Sequence, residues 1–231
     1  MITIIIPTYN EKDNLPRLAN TIFSLPIGKQ VELIIVDDNS PDGTGELAEH
    51  LRKKYRKIYV IHRKERGRGT AGIAGFKEAL KHRNTYIMEM DADFSHDPKD
   101  IEKFSEEIKK YDVVIGSRYV GGRILNRSLY RNLISTLANI YNRTILGLSI
   151  RDVSSGYKCY RREVIEALDF DEFLSTGYSI GAETLYRVKR LGFTMKEIAI
   201  TFKNREIGVS KVGIKEMADY LLKVILIRVK G

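Results

Sequence analysis

The run Ile2-Thr3-Ile4-Ile5-Ile6 limits the possible folds more than any other part of this chain. A near-continuous apolar segment of this length, cut off by Pro7, is the pattern of a strand buried on both faces. Such strands belong to parallel sheets covered by helices on two sides. Leu33-Ile34-Ile35-Val36 repeats the pattern. Between the two, Leu15, Leu18, Ile22 and Leu25 recur at helical spacing, with Asn10 as the expected N-cap. The alternation continues. The turn Ser40-Pro41-Asp42-Gly43-Thr44 leads into a helix with Leu47 and Leu51 on one face, 58–61 is a third strand, and 69–80 a third helix. Tyr86-Ile87-Met88 begins a fourth strand ending at Asp91, Ile101, Phe104 and Ile108 line the next helix, and Val113-Val114-Ile115 is a fifth strand. This order predicts an α/β protein with a parallel central sheet and right-handed crossovers. The 231 residues contain no repeat, low-complexity tract or linker, so a single domain over 1–231 is expected.

The second half reads differently. Gly121-Gly122 and the polar run to Ser128 suggest a mobile loop, followed by a long helix over 129–148 with Leu133, Leu137, Ile140 and Ile145 at helical spacing. A short segment around Ser154-Ser155-Gly156-Tyr157, a helix from Glu183, a strand over 195–200 and a basic, Gly-containing loop over 203–213 come next. The last helix, from Met217 to Arg228, is too short and too charged to cross a bilayer. Two readings stay open for it: packed on the domain's own core, or lying in a membrane interface with Lys223 and Arg228 toward head groups. Met1 runs straight into a strand, so no signal peptide is expected. Cys159, the single cysteine, allows no internal disulfide and fits a buried apolar position in a reducing compartment. The net charge of +9 suits phosphorylated substrates or anionic head groups. Nucleic acid is not expected, because zinc-finger, RNA-stacking and helix-turn-helix signatures are all missing.

In an open α/β sheet, ligands sit beyond the carboxyl ends of the strands. Two acidic pairs fall there, Asp37-Asp38 after the second strand and Asp91-Ala92-Asp93 after the fourth. Two Asp residues separated by one position can hold a hard divalent cation, and Mg2+ completes its shell with phosphate oxygens. Asp-x-Asp alone describes many solvated turns, but a second acidic pair on the same sheet edge outlines a nucleotide-sugar site. Asp97-Pro98 then cuts the segment off and starts the next helix. The turn Gly67-Arg68-Gly69-Thr70-Ala71 reads as a helix start near the nucleotide rather than a phosphate-binding loop.

These motifs resemble a family. Ile6-Pro7-Thr8-Tyr9-Asn10-Glu11, Val36-Asp37-Asp38-Asn39-Ser40-Pro41-Asp42-Gly43-Thr44, Asp91-Ala92-Asp93-Phe94-Ser95-His96, Gly116-Ser117-Arg118-Tyr119 and Ser210-Lys211 occur in the order seen in dolichyl-phosphate (polyprenyl-phosphate) mannose synthases. Those are inverting family-2 glycosyltransferases. The resemblance implies a GT-A fold, with a Rossmann-like, mostly parallel central sheet flanked by helices. It further implies a nucleotide-binding half over about 1–118 and an acceptor-side half over about 119–231. By resemblance, Pro7, Tyr9 and Glu11 form one wall of a base and ribose pocket, and Val36 and Asp38 another. Asp38 would accept from sugar hydroxyls or base nitrogens, and Asp37 would hold the loop, since adjacent strand side chains point opposite ways. Asp91 and Asp93, with the Ala92 backbone, would bind Mg2+ or Mn2+ and the diphosphate, and Ser95 would join the metal shell directly or through water. His96 is left unassigned, because a hard cation prefers oxygen. The family pattern puts Arg118 and Arg131 on phosphates and closes Arg205 and Lys211 over the site.

The implied reaction transfers mannose from GDP-mannose to the phosphate of a dolichyl or polyprenyl carrier with inversion. A phosphate monoester, with a second pKa of about 6, is largely dianionic at neutral pH, so no essential base is expected. Asp152 and Glu183 are the candidates if the acceptor is an alcohol, with structural hydrogen bonding the expected task of both. UDP-glucose as donor, a glycan acceptor, or a silent binding subunit remain the alternatives. The lipid acceptor implies peripheral attachment at the cytoplasmic face of a membrane through the helix from Leu129 and the terminal helix, with a small membrane-protein subunit as a further partner.

Overall fold

The structure is a computed structural model and describes residues 1–126, 128–177, 179–204 and 214–231, with side chains of the last segment from Asp219 onward. Strands β1 (Ile2–Thr8), β2 (Val31–Asp37), β3 (Ile58–His62), β4 (Tyr86–Glu89) and β5 (Val113–Ser117) fall where the apolar runs put them. Between them lie helices α1 (Leu15–Ser24), α2 (Thr44–Lys54), α3 (Arg68–Ala79) and α4 (Ile101–Glu107). The second half adds β6 (Arg123–Leu125), α5 (Leu129–Leu146), β7 (Lys158–Arg161), α6 (Arg162–Glu166), α7 (Ile180–Arg190), β8 (Met195–Ala199), β9 (Thr201–Lys203) and α8 (Ile214–Lys230).

The main sheet has seven strands in the order β3-β2-β1-β4-β7-β5-β8. Its pairs are parallel except where β7 runs antiparallel between β4 and β5. Alternate residues of each strand enter opposite cores, as the period of two requires. Ile4, Ile6, Leu33 and Ile35 pack with Leu15, Leu18 and Ile22 of α1, Leu51 of α2 and Phe104 of α4. Ile5, Ile34, Val36 and Ile115 pack on the other face with Phe76 of α3, Leu185 of α7 and Val224 and Ile227 of α8. Each such fully buried side chain contributes about 1.5 to 3 kcal/mol. The architecture is the mostly parallel sheet flanked by helices that the sequence predicts. Strand order reverses between β1 and β4, which creates a switch point at their carboxyl ends.

Two expectations need correction, and one open reading gains contacts with the domain. Asn10 does not cap α1: it takes a left-handed conformation (φ 60°), which asparagine tolerates, and turns the chain out of β1. The helix starts later, after Asn14, with Pro16 in its first turn. The stretch 121–128 is not simply a loop, because Arg123–Leu125 pairs with β9 and Arg123 N donates to Ile200 O at 3.0 Å. Lys223 and Arg228 do not turn to a solvent face alone: Lys223 Nζ donates to Leu174 O at 3.0 Å and Arg228 Nη1 to Tyr186 OH at 3.1 Å, tying α8 to the domain. No helix among the described residues is long and apolar enough to cross a membrane.

Candidate active site

Both acidic pairs emerge at the carboxyl edge of the sheet, beside the switch point. Asp37 ties loops together, accepting from Thr8 Oγ1 (3.1 Å), Ser40 N (3.1 Å) and Ser40 Oγ (2.6 Å). That is the holding role expected of it. Asp38 is buried, and its carboxylate is engaged by Arg63 Nη1 at 2.6 Å and Gly67 N at 2.8 Å. Arg63 Nη2 also donates to Thr70 Oγ1 at 2.6 Å, so Asp38 and Arg63 together pin residues 63–70 over the sheet edge. On that segment the Arg66 guanidinium lies 3.6 Å from the Tyr9 ring centroid, a cation–π contact. Glu11 accepts from Asn14 Nδ2 at 2.8 Å, and its backbone N–H donates to Thr44 Oγ1 at 2.9 Å. Pro7 is half-buried at the end of β1. Val36 is fully buried in the apolar cluster on the α3 side, so its side chain lines no open surface.

Beyond β4, Phe94 takes a left-handed backbone (φ 57°), a strained state for a bulky side chain. The resulting turn lets Ser95 N donate to Asp93 Oδ1 at 3.1 Å. It also brings Asp91, Asp93 and Ser95 to one cavity of about 130 Å3, whose lining includes Arg68, His96, Arg118, Ser154, Ser155, Gly156 and Phe202. Ser95 Oγ is buried yet has no hydrogen-bond partner among the described residues. A native hydroxyl left so calls for a ligand, and two carboxylates with one hydroxyl are the oxygen donors a hard divalent ion takes. The residues present therefore fit such an ion. Among the described residues no group of three or more His, Cys, Asp or Glu could hold a metal ion; Mg2+ is typically held by one or two carboxylates with phosphate oxygens.

His96 supports this motif without being needed as a ligand. Asp91 N donates to His96 Nδ1 at 3.2 Å, and the ring stacks on Tyr157 with centroids 4.8 Å apart. Burial pushes the imidazole pKa below its ordinary value, outweighing the upward pull of Asp91. Accepting from the Asp91 N–H requires an Nδ1 that carries no proton.

Arg118 lines the cavity with its guanidinium locked from behind. Its Nε and Nη2 donate to the two oxygens of Asp152 at 2.8 and 2.6 Å, and Nη2 also donates to Ser154 Oγ at 2.7 Å. Burial alone would lower the Arg118 pKa, but the hydrogen bonds and charge of Asp152 more than offset it and raise it. Asp152 also accepts from Arg118 N at 2.9 Å and is fully buried. Glu183 is fully buried on α7, accepting from Leu174 N (2.9 Å), Ser175 N (2.8 Å) and Arg187 (Nη2, 3.0 Å). Both carboxylates have the structural bonding expected of them. Arg131 is exposed on the first turn of α5, away from the cavity lining. Arg205 and Lys211 lie outside the described residues. Among the described residues before them, Lys203 N donates to Ser95 O at 3.1 Å.

Arg63 and Arg68 were not singled out from sequence, and both belong here. Arg68 Nη2 donates to Asp91 Oδ1. The available signal was their position, in a basic, glycine-bearing turn at the carboxyl end of β3. A larger basic depression of about 380 Å3, lined by Tyr186, Lys189, Arg190 and Arg228, shares no residue with this cavity.

Comparison with known proteins identifies the family. Polyprenol monophosphomannose synthase of Mycolicibacterium smegmatis is 40% identical over 226 residues, spanning 96% of this chain and 84% of that protein. Undecaprenyl-phosphate mannosyltransferase of Micrococcus luteus is 39% identical over 215 residues, spanning 92% and 87%. The solved structure of glucosyl-3-phosphoglycerate synthase from Mycobacterium tuberculosis, in complex with Mn2+, uridine diphosphate and glucosyl-3-phosphoglycerate, is 18% identical. It matches 98% of this chain and 78% of that one with a TM-score of 0.67, a likeness of fold, and the fold is GT-A. The profile of glycosyl transferase family 2 matches residues 3–169. Since that stretch holds both acidic pairs, the switch point between β1 and β4, and Arg118 with Asp152, the chain belongs to glycosyl transferase family 2.

Proposed function

We propose that this chain is a polyprenyl-phosphate mannosyltransferase that takes mannose from GDP-mannose, with Mg2+ or Mn2+, and transfers it with inversion. The observation that carries the reading is the oxygen set of Asp91, Asp93 and the partnerless Ser95 hydroxyl, facing the same cavity as a locked Arg118. The names and near-full coverage of the relatives support the sugar and the acceptor class.

Asp91, Asp93 and Ser95 would hold the divalent ion, which when bound neutralises charge growing on the departing diphosphate. Arg118 adds a fixed positive charge to the same wall, and Asp152 keeps its fork oriented. Pro7, Tyr9 and Glu11 at the end of β1, with Asp38 beyond β2, face the base and ribose. Arg131, Arg205 and Lys211 act on the donor or acceptor phosphate from the acceptor-side half, over about 119–231. The acceptor phosphate is already anionic, so the chain needs to position it rather than deprotonate it. The engagement of both Asp152 oxygens and both Glu183 oxygens supports a reaction without a side-chain base. Attachment to the membrane is peripheral, through α5 and α8. Leu129, Tyr130, Leu133, Leu137 and Ile140 of α5 and Leu222, Ile225 and Val229 of α8 are all exposed.

Mass-spectrometric detection of glycosyl transfer to a short polyprenyl phosphate tests the proposal, with GDP-mannose and UDP-glucose offered separately, with Mg2+ or Mn2+, and with chelator. Mannosyl product that disappears with chelator is the expected result. Glucosyl product would overturn the donor, and product insensitive to chelator would overturn the metal.

A further inference from the structure

Arg68 lines the same cavity and has no part in the mechanism above. It is the first residue of α3, next to Gly67, whose N–H is held by Asp38. Its Nη2 donates to Asp91 Oδ1, so a guanidinium sits on a carboxylate of the acidic motif. The space it uses is kept open by Gly156: a Cβ there would collide with Arg68 Nη2 and come within 3.3 Å of Asp91 Oδ2. On the same segment Arg66 covers the Tyr9 ring. One pinned loop thus lays a cation on the acidic motif and another on the ring assigned to the base pocket.

We propose that Arg68 occupies the Asp91 carboxylate while the donor is absent and thereby couples metal binding to nucleotide binding. The inference rests on the assignment of Asp91, Asp93 and Ser95 to the metal. A divalent ion and a guanidinium repel each other at one carboxylate, so an ion arriving alone must first expel Arg68. A nucleoside diphosphate arriving with the ion offers the displaced fork two phosphate oxygens, a pairing that suits arginine geometry. Coupling is reciprocal: the factor by which the diphosphate tightens metal binding equals the factor by which metal tightens the diphosphate. Arg68 raises that factor. About half of its side chain is exposed, so the effect is a several-fold change rather than an on-off switch.

The test is a Mn2+ titration followed by the loss of the free-ion electron paramagnetic resonance signal, with and without saturating GDP. It compares wild type, Arg68→Gln, Arg68→Met and Asp91→Asn. Both neutral Arg68 variants should bind Mn2+ alone about three- to fivefold more tightly than wild type, with the tightening by GDP reduced by a similar factor. Asp91→Asn should lose Mn2+ binding in both conditions. If the Arg68 variants bind Mn2+ no better than wild type while Asp91→Asn loses it, the role of Arg68 is overturned and the metal site stands. Wild-type Mn2+ affinity in Asp91→Asn would remove the metal site itself, and the inference with it.

Discussion

Asp152 and Glu183 are both fully buried carboxylates with both oxygens engaged, yet only one of them touches a residue of the cavity. Removing one charge of a buried pair strands the other and costs about 3 to 5 kcal/mol. Asp152→Asn should therefore lower both the melting temperature and turnover, since Arg118 loses the partner that orients it. Glu183→Gln should lower stability by about 2 to 4 kcal/mol through Arg187 and the Leu174 and Ser175 amides, while turnover per folded molecule stays within about twofold. Thermal melts with active-site-normalised rates separate the two, and a total loss of turnover in a folded Glu183→Gln protein would restore it as a base. The acidic motif was legible in sequence because its chemistry demands carboxylates at strand ends. Arg68 and Arg63 were not, since each depends on a partner far along the chain, and the role of His96 depends in part on its stacking against the distant Tyr157. Val36 shows the opposite limit: its motif position pointed to the pocket, but the pleat turns its side chain into the core.

The parallel strands were readable because burial on both faces leaves a run of Ile, Val and Leu. β7 left no such trace. Its four residues, Lys158-Cys159-Tyr160-Arg161, carry a charge at each end, and Lys158 is buried within the sheet, where burial pulls its pKa down against the opposing pull of Glu89. β8 closes the far edge beside β5, and a side-chain clamp joins their starts. Asp112 accepts from Thr194 Oγ1 at 2.6 Å and Thr194 N at 2.8 Å. The Thr194 hydroxyl is the main cause that holds the Asp112 carboxyl below its ordinary value of 3.8, against an opposing effect of burial. A lowered folded pKa means that the unfolded chain binds the proton more readily. The clamp's contribution is therefore complete above the ordinary value and lost as pH falls through the lowered one. Asp112→Asn should cost about 1 to 2 kcal/mol near neutral pH, and the gap to wild type should close as the carboxylate takes up its proton in acid. Melts across that range check it, and a gap that persists in acid would mean the carboxylate charge is not what the clamp uses.

The exposed apolar side chains of α5 lie on the back of a helix whose buried face is polar until Leu146 at its end. Ser135, Asn139 and Asn142 point inward, while Leu129, Tyr130, Leu133, Leu137 and Ile140 point out. The helical spacing was visible in the sequence, but spacing alone does not say which side faces the core. The inward face reaches the cavity: Asn139 Nδ2 donates to Ser154 Oγ at 3.2 Å, and Ser154 in turn accepts from Arg118. α8 packs against the same helix, with Tyr141 OH donating to Leu221 O at 2.9 Å; it buries Val224 and Ile227 and turns Leu222, Ile225 and Val229 outward. A bilayer would satisfy both exposed stripes at once, and the net charge of +9 would draw the chain to anionic lipid. Substituting Leu133 and Leu137 together by Glu should change folding stability by under about 1 kcal/mol, because both side chains are already more than half in water. Co-sedimentation with anionic vesicles should fall by about tenfold or more, since two insertion points are replaced by charges that repel the surface. Transfer to a long-chain polyprenyl phosphate in vesicles should fall with it, while transfer to a short, water-soluble acceptor stays near wild type. Equal loss on both acceptors would mean that the damage travels through Asn139 and Ser154 to Arg118, and that the outward face of α5 has no part in reaching the lipid.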